Sequence, residues 1–186
     1  MEFYLDNQLG RRSFAAQLGS IVRFDKGLPI FVCIGSDRVV GDMIAPLVAE
    51  RLVREHRIRA YVYGRLHNPI TCSNLVEAMK YITATHTGQQ VIIIDASLGK
   101  MSEIGKVKLL QSGCIPAGGF GKSARVYGDV SILPVVSTAG ISDKTFLTCA
   151  KFNTILQLSR DIADCVALAM RIAWEIKGDM PAALNA

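Results

Sequence analysis

Two short runs with no polar alternation constrain the fold of this chain more than any other feature. Val91-Ile92-Ile93-Ile94 is apolar at every position and stops at Asp95. Ile30-Phe31-Val32-Cys33-Ile34 is equally apolar and breaks at Gly35. Such runs read as strands buried on both faces, which calls for helices above and below a parallel sheet.

The intervening segments supply those helices. Ile44, Leu47, Val48 and Leu52 recur at i, i+3, i+4 and i+8, the stripe of an amphipathic helix. Its start near Gly41-Asp42 fits an N-cap at Asp42, with Pro46 tolerable in the first turn. Residues 59–63 read as a second strand and residues 73–85 as a second helix. Strands alternating with helices of about a dozen residues predict a parallel sheet with right-handed crossovers.

In the second half, residues 104–110 and 129–136 read as strands around a glycine-rich loop, 113–128. Positions 155, 158, 162, 165, 166, 169, 173 and 176 mark a long amphipathic helix. Phe14, Leu18, Ile21 and Val22 place a helical extension within residues 1–28, readable either as a packing helix or as a removable segment. The expectation is one α/β domain over residues 1–186, half of it hydrophobic and a fifth charged.

Several classes are set aside. No apolar run approaches the roughly 18 to 20 residues that span a bilayer, and no signal peptide is visible, so neither a membrane nor an export role is expected. Five cysteines without a C-x-x-C pair suit a reducing cytoplasm. The net charge is +5, but Arg51, Arg54, Arg57 and Arg59 read as a solvated helix face and its margin, and no nucleic-acid partner is predicted.

Chemistry centres on two carboxylates. Asp95 closes a buried strand and therefore stands at the carboxyl edge of the sheet, where open α/β folds bind ligands. Asp42 follows the first strand on its way into a helix and reaches the same edge, whether or not it also caps that helix. Two carboxylates in one crevice suit acid/base catalysis or a metal site. Asp37 reads either as a third acid or as the holder of a tight turn, and Arg38 as an orienter of substrate or a solvated charge.

His67 is the best placed histidine for a ligand, whereas His56 and His86 read as surface residues. Cys33 and Cys165 read as core, Cys72 and Cys114 as loop cysteines. The segment 116–123 ends in Gly-Lys-Ser like a phosphate-binding loop. It has Pro116 at the first glycine position and no helix after it, so a flap over the aspartates, with Gly118 and Gly119 near substrate, is the better reading.

A resemblance sharpens this picture. Cys33-Ile34-Gly35-Ser36-Asp37-Arg38, Gly41-Asp42 and Ala45-Pro46-Leu47-Val48 resemble the C-I-G-T-D-R-x-x-G-D-x-x-G-P-L-V signature of the YyaC family of sporulation proteins. Ile93-Ile94-Asp95-Ala96-Ser97-Leu98-Gly99 resembles its I-D-A-C-L-G block. Gly128-Asp129-Val130 is similar to its V-G-D segment. That family is similar to germination protease and, more distantly, to hydrogenase maturation proteases.

The resemblance implies a three-layer α/β/α sandwich with a mostly parallel sheet and an aspartate-dependent peptidase site at Asp42 and Asp95. Asp37, Arg38, Gly118, Gly119 and Asp129 would contact or support the substrate, a protein or peptide, spore proteins included. Further implications are a cytoplasmic location, the forespore included, and a homo-oligomer as an open option. Hydrogenase maturation proteases imply a divalent metal ion as an alternative, held by Asp42, Asp95 and His67. The chain departs from the pattern at Ala45, at His67 and Thr71, and at Arg125-Val126-Tyr127. These departures motivate a second reading, a non-catalytic binding platform on the same fold.

Overall fold

A computed structural model describes residues 1–116, 125–138 and 150–176. In chain order they form β1 (Glu2–Tyr4), α1 (Gln8–Ile21), β2 (Ile30–Ile34), α2 (Ile44–Arg54), β3 (Tyr61–Tyr63) and α3 (Leu75–Thr85). Then follow β4 (Val91–Asp95), β5 (Ser97–Gly99), β6 (Lys106–Leu110), β7 (Val130–Thr138) and α4 (Phe152–Ile176). The expected elements are present within a few residues at each end. The strands β1 and β5, each three residues long, are additions with too little pattern to read.

The sheet runs β1-β6-β7-β4-β2-β3, with β5 also against β7. β3, β2, β4 and β7 pair in parallel, whereas β6 is antiparallel to both β7 and β1. The sheet is thus mixed and mostly parallel. Every residue of β2 and β4 is buried, as runs without alternation require. Phe31, Cys33, Ile92 and Ile94 face α1, α2 and α4, and Ile30, Val32, Ile34, Val91 and Ile93 face α3. Helices therefore flank both faces.

Two features of this sheet position the site. Along β2 the chain order reverses, β3 lying to one side and β4 to the other, which makes the β2/β4 carboxyl ends a topological switch point. In addition, β4 and β5 form one path broken at Ala96. Up to Asp95 the chain pairs with β2, and from Ser97 it pairs with the far half of β7 instead. The two central strands part where Asp95 stands.

Residues 1–28 are structural. Phe14, Ala15, Leu18 and Gly19 of α1 are buried in the core shared with α4, and Phe14 meets Phe3 edge-on at 5.4 Å. A Cβ on Gly19 would come within 3.0 Å of the Ala169 carbonyl and Ile172, so the two helices approach as closely as a bare backbone permits. Arg11 adds an ion pair to buried Asp161 at 2.7 Å. The segment's helix thus packs on the core.

Phe14→Ala is expected to cost about 3–5 kcal/mol in denaturant unfolding. Deleting residues 1–28 should abolish cooperative unfolding. A truncated chain that unfolds cooperatively near full-length stability would restore the removable segment.

Candidate functional site

The crevice is built from Gly35 outward. Gly35 N–H donates to the Ile70 carbonyl at 2.8 Å, tying the end of β2 to the loop before α3. Ser36 N–H donates to the Asp42 carbonyl at 3.2 Å, closing the loop between β2 and α2 upon itself. A Cβ on Gly35 would collide with that carbonyl and with Pro46, so only glycine lets Asp42 sit this close to the strand end. Gly64 does the same opposite the Cys33 carbonyl, with φ at +82°.

Asp42 is not the helix cap expected of it. Gly41–Met43 forms a single 3-10 turn that runs directly into α2, and no side chain caps either element. The preceding turn supplies the helical geometry, and the Asp42 side chain is left for the crevice. Nor does Asp37 hold the turn. Ser36 Oγ accepts from Arg38 N–H at 3.1 Å, and both Asp37 and Arg38 are exposed.

With Asn68, Pro69, Thr71, Cys72, Ser73 and Asn74, these residues line a crevice of about 540 Å³. Asn74 braces its far wall, accepting from Thr71 N–H at 2.8 Å and donating to the Pro69 carbonyl at 3.1 Å. Thr71 Oγ1 and Ser73 Oγ lie 2.7 Å apart. Beyond Asp37, Arg38 and Asp42 the lining is uncharged donors and acceptors, the chemistry that meets a peptide backbone. The departure at Thr71 thus contributes to the crevice.

Asp42 is half-buried, and burial pushes its carboxyl up from the ordinary 3.8 to about 6, the facing Ser36 backbone N–H acting in the opposite sense. Asp95 stands across β2 from this wall, in register with Ile34, buried to 6% exposure. Both aspartates thus flank the Ile34-Gly35 strand end. Asp42 lines the crevice, and Asp95 lies behind it without lining it.

Asp95 has a neighbour that sequence reading left unassigned. Cys114 is half-buried on the α3 face, and burial pushes its thiol up, opposed by a hydrogen bond with Ser131 and reinforced by the Asp95 charge. Cys114 pairs with Tyr127 through backbone hydrogen bonds of 3.1 and 2.9 Å. That pair closes the base of the glycine-rich segment on the sheet face that carries Asp95. Gly118 and Gly119, and with them most of the Gly-Lys-Ser segment, lie outside the described residues.

Two other candidates stand apart. The Asp129 carboxylate accepts from Val91 N–H at 2.8 Å, at the amino end of β4, so the length of that strand (about 13 Å) separates it from Asp95. Its role there is to pin the start of β4 to the start of β7. His67 is exposed and turned to Glu50 at 3.3 Å, beside Arg65 at 2.9 Å, which is the main reason the Glu50 carboxyl titrates below its usual range.

Among the described residues no three His, Cys, Asp or Glu side chains gather in a metal-binding group. The structure thus does not bring Asp42, Asp95 and His67 into one such group. The other histidines also depart from the surface reading. His86 is buried and 2.7 Å from the Tyr63 hydroxyl, with burial lowering its pKa, and His56 is 2.9 Å from Asp164. Burial raises both the Cys33 and Cys165 thiols, the latter to about 12, as core residues should show.

Comparison with known proteins is consistent with the sequence blocks that line this edge. The family described as "Protein of unknown function (DUF1256)" matches over residues 2–165. The chain is 30% identical to "Uncharacterized protein YyaC" of Bacillus subtilis (strain 168) over 158 residues, covering 84% of this chain and 77% of that one. No described helix is long and apolar enough to cross a membrane.

The raised Asp42 carboxyl carries a pH signature. The unfolded chain releases this proton near 3.8 and the folded chain near 6, so the folded state holds more protons in between. The contribution to stability is complete below pH 3.8 and lost as pH rises through 6. Asp42→Asn removes this dependence. Relative to wild type, the variant should gain about 1 kcal/mol between pH 4 and 7, discounted for the solvent that reaches the side chain. Denaturant unfolding of both proteins at the two pH values measures it, and a constant difference would mean an ordinary solvated carboxyl.

Proposed function

This chain belongs to the DUF1256 family, and we propose that it is a peptidase whose aspartates activate water against a peptide bond of a protein substrate. The observation that carries the reading is the pair of aspartates flanking one strand end at the switch point, Asp42 beside Gly35 and Asp95 in register with Ile34. The role of Asp42 follows from its surroundings, and Asp95 takes the complementary one. Asp42, with a carboxyl near 6, holds a proton below that pH that it can give to the leaving amine. Asp95 acts as the carboxylate that takes a proton from the attacking water. The uncharged wall from Asn68 to Asn74 holds the substrate backbone, and Arg38 at its mouth orients a carbonyl. The resemblance of its sequence blocks to a sporulation family motivates a spore protein as substrate and the forespore as setting.

A specific observation favours a second reading. Asp95 is buried and does not line the crevice, while the crevice presents mostly polar side chains suited to binding. In that reading the chain holds a protein segment without cutting it. A metal-assisted variant has less support, since His67 is held by Glu50.

Cleavage of a peptide library, read by mass spectrometry, separates these readings. For a peptidase, Asp42→Asn and Asp95→Asn should each reduce turnover by about 10²–10⁴-fold while leaving the fold intact. In the wild type, kcat/KM should fall as pH rises through about 6. Retained turnover in Asp95→Asn would sink the catalytic pair. An inert wild type that still captures peptides, with capture weakened by Asn68→Ala and not by Asp95→Asn, would establish the binding platform.

A further inference from the structure

A second cavity lies on the opposite edge of the sheet, between the turn that leads from α2 into β3 and the last turns of α4. Its volume is about 250 Å³. Ile58, Ala167, Met170 and Trp174 give it an apolar lining. Arg57, Arg59 and Arg171 stand around that lining, opposed by a single carboxylate, Glu175. His56 is also present, but Asp164 at 2.9 Å offsets any charge it carries.

These arginines are not engaged in ion pairs with any described residue. Arg51 and Arg54, just before them in α2, are each taken up by a glutamate at 2.8 and 2.9 Å. Among the described residues none of Arg57, Arg59 and Arg171 has an ion-pair partner. Arg59 instead lies over the Trp174 ring, 4.6 Å from its centroid, which positions its guanidinium at the cavity.

Arg57 has φ at +47°, and it is the only non-glycine with positive φ among the described residues. Glycine is usual where a chain leaves a helix in that conformation. Helix termination alone therefore does not account for an arginine here.

We infer that this cavity binds a small amphipathic anion. Its aromatic or acyl body would rest on Trp174 and Met170, with its carboxylate, sulfonate or phosphate held by Arg57, Arg59 and Arg171. Planar guanidinium groups suit such anions, and an apolar lining with a few convergent polar groups is the usual make-up of a small-molecule site.

Trp174 is the only tryptophan in the chain, so its fluorescence reads this cavity directly. Titration with anilinonaphthalene sulfonate should quench it saturably at one probe per chain. The neutral phenylnaphthylamine, which lacks the sulfonate, should bind about tenfold or more weakly. Arg171→Ala and Arg57→Gly should each weaken the sulfonate several-fold. Arg57→Gly also relieves the positive φ, so its melting temperature should hold or rise, separating lost charge from lost fold. Equal binding of the neutral probe, unchanged binding by both variants, or no saturable quenching would each overturn the inference.

Discussion

The structure depends on the parallel register between β2 and β4, in which Ile30 stands opposite Val91 and Ile34 opposite Asp95. Ten apolar or strand-ending positions locked side by side leave no face for water, so both faces must be covered by helices. α1, α2 and α4 take one face and α3 the other. The same register determines where the strands part. Beyond Ile34 the chain turns at Gly35, and beyond Asp95 it departs along β7. Core formation and crevice formation are one event, since the pairing that buries the isoleucines ends at the residues that carry the chemistry.

A comparison of the aspartates shows how strongly placement governs a single side chain. Asp129 and Asp95 lie near opposite ends of β4. Asp129 is exposed and satisfies the first N–H of the strand. Asp95 is buried in the ladder beside Ile34, with a cysteine thiol that senses its charge. Asp42 is intermediate, half-buried and raised by that burial. Asp161, a fourth, is buried against Arg11 and serves the α1–α4 contact. Residue type alone predicts none of these roles; strand end, helix face and depth do.

The fold was legible where the apolar pattern was long. β2, β4, α2 and α4 follow from periodicity, because burial on two faces or along one stripe leaves a signal in the order of residues. β1 and β5 left none, since three residues cannot show a period. The carboxyl-edge location of Asp42 and Asp95 was equally legible from strand ends. What was not legible is lateral: which loop faces which. Asn68 to Asn74 reach the crevice because Gly35 hydrogen-bonds Ile70, a contact across the sheet edge that no local pattern records. His67 misled for the same reason. It neighbours the crevice in sequence, but Glu50, Arg54 and Arg65 form a cluster on the α2 side that draws it away.

The energetics argue that the crevice is tolerated at a cost carried elsewhere. Holding Asp42 in a half-buried position, without the helix cap that would have rewarded it, disfavours its charged form at neutral pH. Gly35 gives up a side chain and gains a close backbone approach. Against these stand α1 and α4, with Phe14, Leu18, Ile162 and Val166 fully buried, and each large apolar side chain contributes about 1.5–3 kcal/mol when removed from water. The N-terminal helix therefore offsets a carboxyl edge that is less stable than local rules would have made it. Departures from local optimality of this kind are expected where a fold keeps polar groups available for a ligand.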